Sequence, residues 1–103
     1  MRIMMKVSIP VEAGNHAVKS KKLGQTIRSI LAEQKPEAVY FGTENGERTA
    51  FIFLNLQDGA EIPKLAEPWF LAFNASVDLQ PVMIPEDLAK AEPAIKYSAK
   101  RYG

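Results

Sequence analysis

Residues 2–9 alternate, with Ile3, Met5, Val7 and Ile9 on one side and Arg2, Met4, Lys6 and Ser8 on the other. Period two over eight residues predicts a strand with one apolar face and one mixed face, and Pro10 ends it. Glu12 to Asn15 reads as a loop, with Asn15 as the cap of a helix running to about Gln34. Leu23, Ile27, Ile30, Leu31 and Gln34 fall on one stripe of that helix, and Lys35–Pro36 closes it. Ala38–Gly42 is short, aromatic and β-branched, which predicts a second strand. Asn45–Gly46 then signals a tight hairpin into Arg48–Leu56, a strand apolar on both faces.

Asp58 and Glu61 have the spacing of a capping box ahead of a stripe of Ile62, Leu65, Ala66, Trp69, Phe70 and Phe73. Pro63 suits a first turn, whereas Pro68 predicts a kink or a split. Ala75–Ile84 is read as a fourth strand, shortened or placed at an edge by Pro81. Pro85–Glu86–Asp87 opens a last helix with the stripe Leu88, Ala91 and Ile95, and Pro93 is expected to break it in two. Strand, helix, strand, strand, helix, strand, helix over residues 1–103 is one α+β domain of the ferredoxin-like βαββαβ kind, with an extra C-terminal helix on a four-stranded antiparallel sheet.

On that layout Ile3, Met5, Val7, Ile9, Ala50, Ile52, Leu54, Val77 and Leu79 lie under the helices. The other face carries Met4, Lys6, Ser8, Tyr40, Phe51, Phe53, Asn55, Ser76, Asp78 and Gln80. An apolar patch containing Met4, Tyr40, Phe51 and Phe53 marks an interaction surface, and the simplest cover is a second copy related by a twofold axis.

Composition narrows the chemistry. The absence of cysteine excludes disulfides, thiolate metal sites and a cysteine nucleophile, and a single histidine excludes a multi-histidine zinc site within one chain. Thirteen Lys and Arg against twelve Asp and Glu give a net charge of +1, too small a surplus for a protein built to neutralise a phosphate backbone. RTAFIFL loosely resembles the aromatic strand of the RNA-recognition motif, yet the first strand has no aromatic platform, so nucleic acid is not an expected partner. No secretory or membrane-spanning stretch is present, and a cytoplasmic location is the expectation.

The segments MRIMMKVSIP, AVYFGTENGERTAFIFLNL, IPKLAEPWFLAFNASVDLQPVM and PEDLAKA together resemble small bacterial proteins of the dimeric α+β barrel superfamily, at the level of layout over nearly the whole chain. The resemblance implies a homodimer formed through the sheet face. The superfamily includes cofactor-free monooxygenases, haem-degrading monooxygenases, isomerases and ligand-sensing domains. Its haem-degrading members have a Trp in the helix corresponding to that of Trp69, together with a first-strand Asn and a later His. This chain has Lys6 and Ser8 on that strand and no histidine after His16, so no cofactor is expected. The spacing of Leu65, Ala66 and Phe73 makes Trp69 a core residue.

The expected function is a homodimeric barrel protein that binds a small, largely apolar molecule, as a cofactor-independent monooxygenase or isomerase. The alternative is a non-catalytic dimerisation or ligand-sensing module. Met4, Ser8, Tyr40, Phe51, Phe53, Asn55 and Gln80 would line the pocket, giving it apolar walls with a few convergent polar groups. Lys6, Asp78 and His16 are the candidate catalytic groups. Lys6 and Asp78 sit opposite each other if the first and fourth strands pair, either as proton-transfer groups or as a cross-strand ion pair that fixes register. His16 is the one imidazole, placed by this reading in the first turn of a helix at the rim of the barrel, where the dipole disfavours a positive charge. The plainer reading of His16 is an exposed polar residue at a helix start.

Overall fold

A computed structural model describes all 103 residues. In order along the chain the elements are β1 (Arg2–Ile9), α1 (Val11–Lys19), α2 (Leu23–Gln34), β2 (Ala38–Glu44), β3 (Glu47–Asn55), a short 3-10 turn (Gly59–Glu61), α3 (Ile62–Phe73), β4 (Ser76–Pro81) and α4 (Pro85–Tyr102). The four strands form one antiparallel sheet in the order β2-β3-β1-β4, consistent with a ferredoxin-like arrangement. β1 lies between β3 and β4, so the first alternating segment of the sequence becomes an interior strand of the sheet.

That alternation sets the core. Ile3, Met5, Val7 and Ile9 are buried, as are Ala50, Ile52 and Leu54 from β3, and Val77 and Leu79 pack at the margin of the same cluster. Trp69 and Phe73 of α3, Ile30 of α2 and Ala17 of α1 close over them from the helix side. Trp69 is wholly buried, and its indole Nε1 donates to Oε1 of Gln34 at 3.3 Å. The same glutamine donates through Nε2 to the Leu65 carbonyl at 2.9 Å, which ties α2 to α3.

The β2–β3 hairpin turns at Asn45 and Gly46, with φ of 54° and 77°. Two left-handed residues in succession give the primed turn whose twist matches antiparallel strands, as Asn-Gly predicts. The capping box also forms: Asp58 accepts from Ala60 N–H at 2.9 Å, and Glu61 accepts from Asp58 N–H at 3.1 Å.

Three expectations are corrected. The stretch from Asn15 to Gln34 is two helices rather than one. The chain reverses at Ser20–Lys22, where Lys21 has a left-handed φ of 61°, and α1 begins at Val11 inside the expected loop. α3 is not split at Pro68, and α4 is not broken in two at Pro93: each runs on as one helix. Each proline removes one helical N–H, and the carbonyls left free belong to Lys64 and Ala89, both exposed positions where water can serve them. The fourth strand ends at Pro81 and lies at the sheet edge.

α4 is the outlying element. It contains no buried residue and makes no extensive contact with any other element, its first turn alone lying near Arg2. The radius of gyration is 17.2 Å with extents of 58 × 27 × 20 Å, against about 13 Å for a compact chain of roughly 100 residues.

Candidate functional site

The face of the sheet turned away from α1–α3 collects most of the residues singled out in the sequence. Registry puts Met4 opposite Phe53 and Gln80, Lys6 opposite Phe51 and Asp78, Ser8 opposite Thr49 and Ser76, and Tyr40 opposite Phe51. Nothing in a single chain covers this face fully. Tyr40 is 65% exposed, while Met4, Phe51 and Phe53 are half-buried. The Tyr40 and Phe53 rings meet edge to face, with centroids 6.3 Å apart and planes at 80°, a favourable aromatic geometry.

Polar groups on this face are arranged differently from expectation. Lys6 and Asp78 are neighbours in register, yet the Lys6 ammonium pairs instead with Glu44, Nζ to Oε1 at 3.4 Å. Glu44 stands on β2, so the lysine chain reaches across β3 to find it. Beside it, Thr49 is 3% exposed and donates to the Glu47 carbonyl at 3.0 Å. The second carboxylate oxygen, Glu44 Oε2, is buried without a hydrogen-bond partner. A buried acceptor without a donor is costly, and on this face Glu44 bears that cost. Glu44 carries no motif of its own in the sequence, since it stands just before the Asn45–Gly46 turn. Strand alternation from Tyr40 through Gly42 would have placed it on the open face.

Asp78 and Gln80 are exposed on the edge strand, and Asp78 forms no ion pair. Asn55 lies at the far end of β3, where its side chain accepts from the Met1 amino group at 2.8 Å. At that end Arg2 is clamped to Glu37, and the guanidinium hydrogen bond above all holds the Glu37 carboxyl below its usual range, with desolvation opposing it and charge attraction adding to it.

His16 is not with these residues. It lies in the last turn of α1, in the helix layer, exposed beside a hollow bordered by Leu71, Phe73 and Asn74. The positive end of the helix dipole therefore does not act on His16. Asn15, expected as a cap, instead accepts from Arg48 Nη2 at 3.0 Å. The structure thus assembles Lys6, Met4, Ser8, Tyr40, Phe51 and Phe53 on one face with Glu44, and leaves the imidazole in the other layer. No group of His, Cys, Asp or Glu is placed to hold a metal ion. No helix is long and apolar enough to cross a membrane. No family model and no curated protein sequence matches this chain.

Proposed function

We propose that the chain works as a homodimeric binding module, closed open face to open face, which encloses a small and largely apolar molecule between the two sheets. The observation that supports this best is the unpartnered aromatic face carrying Tyr40, Phe51 and Phe53 together with a helix, α4, that has an apolar stripe and nothing to pack on. Area favours a second copy as the cover. Four strands about 4.8 Å apart and some 20–25 Å long offer roughly 400–500 Å² of footprint, and an 18-residue helix about 27 Å long adds a strip of comparable order. Sheet face and helix together approach the ~800 Å² per partner of a standard interface, which the sheet alone does not reach.

Binding is favoured over catalysis by the placement of the titratable groups. A proton-transfer step needs a base and an acid within reach of one substrate. Here the Lys6 ammonium is engaged by Glu44, Asp78 points from an exposed edge, and His16 belongs to the helix layer. The Lys6–Glu44 pair, whose side chains are both partly exposed, would give an otherwise apolar site one polar point of recognition.

Sedimentation equilibrium tests the assembly. The wild-type chain is expected to have twice the monomer mass at tens of micromolar, and Tyr40→Glu, at an exposed position, is expected to weaken association at least about tenfold by placing a charge in the interface. A wild-type monomer under those conditions overturns the proposal. A crystal structure of the dimer then decides its contents. A cavity of roughly 300 Å³ or more between the sheets supports ligand binding, whereas an interface filled by side chains overturns that half and leaves a dimerisation module.

A further inference from the structure

The hollow with the most apolar lining is on the other side of the sheet. Between α2, α3 and the β2–β3 edge lies a cavity of about 370 Å³ whose apolar walls are Leu23, Ile27, Phe41, Ala50 and Ile9, backed by Trp69. Phe41 is on the helix-facing side of β2 yet 61% exposed, because the helix layer stops short of this edge strand. At one end of the cavity stands Arg48, flanked in register by Thr43 and Ile9.

Arg48 is the unusual member. It is half-buried, and no carboxylate pairs with it: the ion pairs of the molecule are Arg2–Glu37, Lys6–Glu44 and Lys96–Glu92. Its single hydrogen bond goes to a neutral amide, from Nη2 to Asn15 Oδ1 at 3.0 Å. A guanidinium carries five donors in a fixed fork suited to a carboxylate, so most of this one is uncommitted. It is also held in place. The guanidinium lies against Gly14, where any Cβ would collide with Nη1. A buried glycine in mid-helix, which costs helix stability, is what gives the arginine room.

We propose that this cavity binds a small apolar molecule ending in one carboxylate, with the carboxylate on Arg48 and the apolar body against Leu23, Ile27, Phe41 and Ala50. Volume sets the size. At the ~30 Å³ a water occupies in the liquid, 370 Å³ corresponds to about a dozen non-hydrogen atoms, which is the size of a medium-chain alkanoate. The site lies within one chain and on the opposite side of the sheet from the proposed dimer face.

Trp69 is the sole tryptophan and backs the cavity, so its fluorescence reports occupancy. Decanoate titrated into the full-length protein is expected to change that emission saturably, and to bind at least about tenfold more tightly than decanol, which has the same chain without the charge. Arg48→Met keeps the apolar stem and removes the fork. It is expected to weaken decanoate roughly 10- to 100-fold while leaving decanol within about threefold. Gly14→Ala keeps the arginine but displaces it, and is expected to weaken decanoate several-fold with no loss of fold, so the test survives if Arg48→Met does not fold. Decanoate binding that is absent at millimolar concentration, no tighter than decanol, or unchanged in these variants overturns the proposal. Binding lost equally in Tyr40→Glu would place the molecule on the open face instead and likewise overturn it.

Discussion

A buried indole needs an acceptor, and Trp69 has one only because Gln34 falls on the apolar stripe of α2. Gln34→Ala leaves the N–H of a fully buried side chain without a partner, so unfolding in urea is expected to show a loss of about 1–3 kcal/mol. An unchanged midpoint would show that the indole finds another acceptor. The Arg2–Glu37 pair predicts a pH effect of known sign. Because the folded-state carboxyl of Glu37 titrates below its unfolded value, the pair stabilises the fold above the ordinary carboxylate range, and that contribution is lost as pH falls through the depressed value. Titration of Glu37 by NMR is expected to show a midpoint below that of an unpaired glutamate, moving up in Arg2→Met. Residues such as Trp69 were legible in the sequence because helical spacing fixed their side. The choice Lys6 makes between Asp78 and Glu44 was not. Strand register determines which Cα positions are opposed, but a four-carbon stem can reach past its neighbour to a carboxylate two strands away.

Among the elements, the β2–β3 hairpin depends on its turn. Gly46 has a left-handed backbone and no heavy atom near a would-be Cβ, so the cost of Gly46→Ala is conformational rather than steric. A loss of about 1–2 kcal/mol is expected in denaturant unfolding, and no loss would argue that the turn relaxes. This hairpin and β1 were readable because their signals are local: a strict period of two, and an Asn-Gly pair. The break between α1 and α2 was hidden, since the residue that turns the chain is Lys21, a type with no preference for left-handed backbone. The prolines misled for the opposite reason. Pro68 and Pro93 are local signals of interruption, but each leaves its orphan carbonyl at an exposed position. α3 is held further by Gln34 on Leu65 and by the burial of Trp69 and Phe73 on its core-facing side.

For the molecule as a whole, the projecting α4 is the element whose behaviour should depend on concentration. Leu88 and Ile95 are each about half exposed in a single chain, and an isolated helix with a central proline is marginal in water. Amide exchange along Leu88–Tyr102 is expected to be fast in dilute protein and slowed several-fold where dimers predominate, while β1 and β3 stay protected throughout. Equal exchange at all concentrations would remove α4 from the interface. Reading the chain end to end located this helix and its stripe but not its isolation, because periodicity says which side is apolar and not whether anything meets it. The placement of β1 has a further consequence, in time rather than in space. Of the four strands, β1 is made before the others and pairs on one side with β3 and on the other with β4, about seventy residues later in the chain. Until β4 is made, a nascent chain exposes one long edge of a strand whose core-facing side is wholly apolar, and such edges invite pairing with other chains. A slow, long-range closing step is expected to govern folding, and the charges of Arg2 and Lys6 along that waiting edge are well placed to discourage the wrong partner.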